Sequence, residues 1–172
     1  MELVVETGAG IPNANSWVDL DFADLYHASL GNKAWANASG EDRTALLLKA
    51  TLSVIVPRYA GRWKGEIAFE SQSLPWPRRW YHDDEDRWVS AAFVPSEVQF
   101  LQCEVALNML ENPDFDKPKE RGIVISSEKI GPITTTLQYD PKAPEALSSP
   151  KVSRLARPLL DGSTGQVRMV RS

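Results

Sequence analysis

The chain has one cysteine, Cys103, two histidines, His27 and His82, and no lysine or arginine before Lys33. A lone cysteine excludes an intrachain disulfide, and on an apolar helix side it reads as a small inert hydrophobe. His27 falls mid-helix beside Tyr26, where a surface or half-buried role outweighs that of a general base. His82 precedes Asp83, Asp84 and Asp86, but the Asp-x-Asp-x-Asp-Gly spacing of a calcium loop is missing, so no metal is expected. Gly8-Ala9-Gly10 lacks both the third glycine of a dinucleotide fingerprint and the lysine of a phosphate loop, and reads as a turn. Charges interrupt every apolar run, so no span of roughly 20 residues suits a bilayer. Met1-Glu2-Leu3-Val4-Val5-Glu6 has no basic start or apolar stretch of the kind that opens a signal peptide. The expectation is a soluble protein made in a cytoplasm, with no catalysis, no cofactor and no membrane contact.

What is present suits one folded body. A length of 172 residues with 42% hydrophobic composition supports a core without disulfide or metal. The net charge of -4 gives no global attraction to nucleic acid. Its distribution is uneven. Residues 1–32 hold five acids and no cation, whereas residues 142–172 hold six cations (Lys142, Lys151, Arg154, Arg157, Arg168 and Arg171) against Glu145 and Asp161. A basic tail of this kind can be steered onto an acidic face of another copy or of a partner.

The periodicity predicts a mainly α fold, a small bundle of three to four helices with an inserted β-hairpin and extended N- and C-terminal arms. Turn formers at 5–16 make an opening arm. A first helix over 19–30 is capped by Asp19 or Asp21, carries Phe22, Leu25, Tyr26 and Leu30, and stops at Gly31-Asn32. A second begins at Ser39 and ends or kinks between Ile55 and Tyr59, because Pro57 has no amide hydrogen. A third runs over 95–110 behind Pro95 and Glu97, burying Val98, Leu101, Cys103, Val105, Ala106, Met109 and Leu110. β-Branched alternation at 122–139 around Gly131-Pro132 reads as a hairpin. The body is then 1–149, and 150–172 is an arm whose short helix over 150–160 is capped by Ser149.

That last helix reads as amphipathic, with Lys151, Arg154 and Arg157 on one side and Val152, Leu155, Leu159 and Leu160 on the other. An exposed segment of this kind wants a groove on a partner. A chain ending after Pro150 is therefore expected to fold normally.

Residues 58–88 interleave Arg58, Tyr59, Arg62, Trp63, Lys64, Trp76, Arg78, Arg79, Trp80, Tyr81, Arg87 and Trp88, the mixture of cations and aromatics a single-strand binder uses. The same stretch carries Glu66, Glu70, Asp83, Asp84, Glu85 and Asp86, six acids against six cations. A neutral funnel argues for packing over strand binding. Trp63, Trp76, Trp80 and Trp88 are thus expected to be buried in a long packed loop over 60–94.

Several segments together resemble a tailed-bacteriophage family labelled DnaT-like single-stranded-DNA-binding proteins. They are 5–16, Gly31-Asn32-Lys33-Ala34-Trp35, Trp76-Pro77-Arg78, Pro95-Ser96-Glu97-Val98, Gln102-Cys103-Glu104-Val105-Ala106-Leu107 and Ser127-Glu128-Lys129-Ile130-Gly131-Pro132-Ile133. The resemblance spans about residues 4–160 and implies a structural role. The implied protein is a head-to-tail connector adaptor in the virion neck, a ring of about twelve subunits made in the host bacterial cytoplasm. It would join the phage portal protein to a tail or nozzle protein, with packaged DNA passing through the ring without sequence-specific binding. On this reading Lys151, Arg154, Leu155, Arg157, Leu159, Leu160, Arg168 and Arg171 contact the portal, and Ile130, Gly131, Pro132 and Ile133 contact a neighbouring subunit or the tail. The alternative is single-stranded-DNA binding through 58–88.

Overall fold

The computed structural model describes residues 2–83, 85–115 and 149–161, and the backbone of short strands between 123 and 139. Its described part is mainly helical. α1 (Leu20–Ser29) starts where the Asp19 carboxylate accepts the Phe22 amide at 2.7 Å. Its buried face is Ala23 and His27, while Leu25 and Leu30, expected on the apolar stripe, are exposed. The helix rolls so that Phe22 and Tyr26 meet Phe100, with Tyr26 stacked at 5.0 Å.

A short α2 (Lys33–Asn37) follows, which periodicity alone does not reveal. It exists to deliver Trp35, which is buried against His27 at 4.4 Å and donates its indole N–H to Asp24 at 2.7 Å. Asp24 also pairs with Arg43 of the next helix at 2.7 Å, so one carboxylate ties three helices together.

α3 (Gly40–Lys49) begins at the Ser39 cap and passes without a break into a π-helical stretch, Ala50–Ile55, and then α4 (Val56–Arg58). Pro57 does mark the helix end, which lies at Tyr59. The last amide before the proline, on Val56, reaches back to the Thr51 carbonyl. Where the π turn begins, the Leu47 carbonyl accepts the Ala50 amide and two side-chain donors, Thr51 Oγ1 and Gln102 Nε2, each at 3.2 Å.

α5 (Ser96–Glu111) is the central element, buried over most of its circumference from Val98 to Met109. α1, α2, α3 and the π stretch all pack on it. Two of its buried side chains, Gln102 and Glu104, are polar and absent from the expected core.

Residues 4–18 form no free arm. Val5 bridges Ser16, and Trp17 and Val18 are buried. Glu6, also buried, accepts the amides of Gly8, Gly10 and Ile11 at 2.8, 3.0 and 2.6 Å, which closes the turn-rich segment around one carboxylate. Gly8, at φ 111, cannot be replaced there, since a Cβ would lie 2.4 Å from the Ala92 carbonyl oxygen.

The segment 60–94 is more ordered than a packed loop. β1 (Glu66–Ile67) pairs antiparallel with β2 (Arg78–Arg79), and β3 (Tyr81–His82) with β4 (Trp88–Val89). The expected hairpin is present in the described backbone. β5 (Ile123–Ile125) pairs with β8 (Gln138–Tyr139), with an irregularity between Ile123 and Ile125, and inside it β6 (Lys129–Ile130) pairs with β7 (Ile133–Thr134).

The chain ends its described course in α6 (Pro150–Ala156) and one 3-10 turn, Arg157–Leu159. Contrary to the expectation of an exposed amphipathic arm, α6 lies along α5 with Val152, Ala156 and Leu159 buried. The physical reason is the breadth of α5's apolar surface, which leaves a face that the other helices do not cover.

Candidate functional site

The aromatic segment is anchored from within. Tyr59, Trp63, Trp76 and Tyr81 are buried and contact each other edge to face in sequence, at 5.3, 6.1 and 5.0 Å. The Trp76-Pro77 peptide is cis. Arg78 fixes the backbone around this row by donating to the carbonyls of Lys64 and Gly65 at 2.6 Å each and of Pro75 at 3.2 Å. Gln72 braces the neighbouring loop in the same way. Its Oε1 accepts the Ala68 and Phe69 amides, and its Nε2 donates to the Leu74 and Pro77 carbonyls. The expectation that Trp63 and Trp76 pack into the body is therefore met.

Trp80 and Trp88 depart from it. They are 60% and 68% exposed. Trp80 sits between β2 and β3 at φ 54, a left-handed conformation that an indole side chain seldom adopts. The turn sends Tyr81 into the core and Trp80 out. The Arg79 guanidinium carbon lies 4.7 Å over the Trp80 ring. Trp88 pairs across the ladder with His82, their ring centroids 3.9 Å apart. Ile67, Phe69 and Phe93 are further exposed apolar side chains of this segment.

The charges around these rings are largely matched. Arg87 binds Asp83 at 2.8 Å and Glu85 at 3.3 Å. The Arg87 amide, with the Arg87 guanidinium and the Glu85 amide, holds the Asp83 carboxyl below its ordinary range. His82 Nδ1 meets Asp86 Oδ1 at 2.7 Å, and Arg79 lies 3.5 Å from Glu66. Among the described residues no group of three or more histidine, cysteine or acidic side chains is arranged to hold a metal ion.

The residues expected to contact a portal do not form one exposed face. Leu159 is buried and Leu155 and Leu160 are half-buried. Lys151 donates to the buried Glu104 at 2.6 Å, so its charge faces the body. Arg154 and Arg157 are exposed. The turn after Leu159 is stitched to the aromatic segment, with Lys64 N–H donating to the Leu159 carbonyl at 3.0 Å and Asp161 N–H to that of Arg62 at 2.8 Å. Arg168, Arg171, Gly131 and Pro132 lie outside the described residues, and Ile130 and Ile133 are placed only as backbone partners in the β6–β7 ladder.

The sequence groups four tryptophans together, and the signal that separates them is local. Trp63 and Trp76 belong to the row that ends at Tyr81, whereas Trp80 and Trp88 flank an acidic stretch in the sequence whose Glu85 and Asp86 are exposed. No helix of the described residues is long and apolar enough to cross a membrane. The family described as "Putative DnaT-like ssDNA binding protein" matches the chain over residues 1–172. No curated protein and no solved structure matches it. With the match extending through helices, aromatic segment and C-terminal residues alike, the chain belongs to this DnaT-like family.

Proposed function

We propose that the chain binds single-stranded nucleic acid, with Trp80 and Trp88 as platforms on which bases stack. The observation that carries this reading is the display of two indoles at 60% and 68% exposure, each braced by a neighbour, Arg79 in one case and His82 in the other. A braced aromatic surface loses little side-chain freedom when a base lands on it, and such stacking contributes about 1–3 kcal/mol per base. The family description supports the same reading. Because Arg87 and Arg79 already face acids, few phosphates are neutralised, and binding is carried by stacking with a shallow salt dependence. No catalytic step is part of this proposal.

The test is a titration with oligo-dT followed by tryptophan fluorescence. Quenching at low salt that disappears in a Trp80→Ala, Trp88→Ala double variant with an unchanged circular-dichroism spectrum supports the reading. An unquenched wild-type signal at micromolar protein rejects it.

A second reading keeps the connector adaptor, and one observation favours it. Ile67, Phe69 and Phe93 are exposed on the same segment as the two tryptophans, and the ions among them are paired within the chain, a composition that suits a protein contact. On this reading the patch meets a neighbouring copy in a ring of the virion neck, between portal and tail protein. The mass of the purified protein, alone and mixed with portal, separates the two: a ring or a stable portal complex favours the adaptor, and a monomer that binds oligo-dT favours the strand binder.

A further inference from the structure

A cleft of about 540 Å³ opens beside the aromatic row, between the end of α4 and the β1–β2 ladder. Its walls are Val56, Trp63, Ile67, Leu74 and Pro75, and among the described residues Arg78 is the one charged side chain lining it. Gly61 and Gly65 form part of the lining, and at Gly65 a Cβ would stand 2.5 Å from the Arg79 carbonyl oxygen. The volume lies within the usual range for small-ligand sites, roughly 300–1,000 Å³.

The polar groups in the cleft are unevenly committed. Gln72 spends its amide on the backbone of its own loop. Arg78 uses three of its N–H groups on carbonyls, which fixes the plane of the guanidinium without neutralising it. Of the five N–H donors an arginine carries, two stay uncommitted. No described carboxylate lies within ion-pair distance of Arg78; Glu66 is near but pairs with Arg79, and Asp161 acts only at longer range. Partial burial makes this charge costly, as its lowered proton affinity reflects. A half-buried, rigidly held cation with no carboxylate paired directly to it, in a cleft that a buried indole also lines, is complementary to a flat apolar ring bearing an anion.

We propose that this cleft is a nucleotide subsite, taking one base of a single strand against Trp63 with the adjoining phosphate on Arg78. The proposal rests on the strand-binding reading above and adds a discrete pocket to its two open platforms. A base in the cleft is held by enclosure, and the phosphate by a charge-assisted contact. The platforms supply stacking alone.

The experiment uses the full chain with thymidine 5′-monophosphate, thymidine and oligo-dT as probes, following the Trp63 indole N–H by NMR. Ala60, exposed at the cleft wall, is changed to phenylalanine to fill the space without touching Arg78 or the platforms. The expected result is saturable binding of the monophosphate, at least tenfold weaker binding of thymidine, and loss of both in Ala60→Phe. The monophosphate should still bind the Trp80→Ala, Trp88→Ala double variant. Arg78→Lys, which keeps the charge but not the three carbonyl contacts, should narrow the tenfold preference. Monophosphate binding that survives Ala60→Phe overturns the site. If the monophosphate fails to bind while oligo-dT still quenches the platforms, the subsite is wrong and strand binding stands. If the monophosphate binds and oligo-dT does not, the pocket serves free nucleotides and the strand assignment is wrong. Failure of both probes removes both readings.

Discussion

Gln102 of α5 donates from Nε2 to the carbonyl of Leu47, 3.2 Å away, at the point where α3 widens into its π turn. The same amide donates to Ser16 Oγ at 2.6 Å, and its oxygen accepts the Trp17 N–H at 2.8 Å. One buried side chain thus joins the N-terminal segment, the second long helix and the central helix. Gln102→Leu preserves bulk but strips the acceptor from the buried Trp17 amide, while the Leu47 carbonyl keeps the Ala50 amide and the Thr51 hydroxyl. A buried group left unsatisfied costs about 1–3 kcal/mol, so a loss of roughly 1–3 kcal/mol is expected. Urea unfolding should show it as a lowered midpoint at an unchanged slope, and a midpoint equal to wild type would contradict this role.

His27 makes stability depend on pH. It is buried between Trp35 and Tyr26, and its Nδ1 takes a hydrogen bond from the Asn32 amide at 2.9 Å. Burial lowers its proton affinity, opposed by Glu104 and Asp24 and assisted by Lys151. The folded state therefore holds neutral imidazole, whereas the unfolded chain takes up a proton near its ordinary value of 6.5. Stability from this group is complete above about pH 6.5 and is lost as the pH falls below it, at up to about 1.4 kcal/mol per pH unit for one proton. Unfolding free energies between pH 7.5 and 5.5 should fall more steeply for wild type than for His27→Gln, and equal slopes would show that His27 is not the group responsible.

Cys103 is buried in α5, and desolvation followed by the nearby Glu104 pushes its thiol up to about 12. A thiolate is the reactive form, so the native protein should resist an aromatic disulfide reagent at pH 8 and react only as it unfolds. The reaction rate then reports opening of the core. Immediate stoichiometric labelling of the folded chain would show that α5 is exposed there.

How much of this was legible depends on the range of the interactions. Asp19 and Ser39 announce helix starts because a cap acts within three residues, and Pro57 announces an end because the missing hydrogen is its own. The π stretch could not be read in the same way, since one of the donors to the Leu47 carbonyl just before it is Gln102, 55 positions away in the chain. Gln102 and Glu104 look like solvent-facing residues in an apolar helix and are instead buried, paired by Ser16, Trp17, Tyr26 and Lys151. At the candidate site the tryptophans were recognisable as a group, but which of them face water is decided by a ladder register and one left-handed backbone angle at Trp80. Amphipathicity marks a polar and an apolar side of α6, but it does not say whether the surface that covers it belongs to the same chain.

Val152 and Ala156 of α6 are buried where it packs on α5, Leu159 is buried in the turn that follows, and Lys151 reaches the buried Glu104 that also accepts the Tyr26 hydroxyl at 2.8 Å. A chain ended after Pro150 loses all of these contacts and uncovers α5. Burying a valine or leucine contributes about 1.5–3 kcal/mol each, so roughly 3–6 kcal/mol disappears with Val152 and Leu159 alone. At about 2–4 °C per kcal/mol for a chain of this size, the melting temperature should fall by roughly 10 °C or more, in place of the normal folding expected for a free arm. Point variants divide the effect. Leu159→Ala should cost about 2–5 kcal/mol through cavity formation, and Lys151→Met about 1–3 kcal/mol, because it leaves the buried Glu104 carboxylate without its cation. Arg154→Ala, on the exposed side of α6, should stay within about 0.5 kcal/mol of wild type. A truncated chain that melts with the full-length protein would return α6 to the role of a free docking arm.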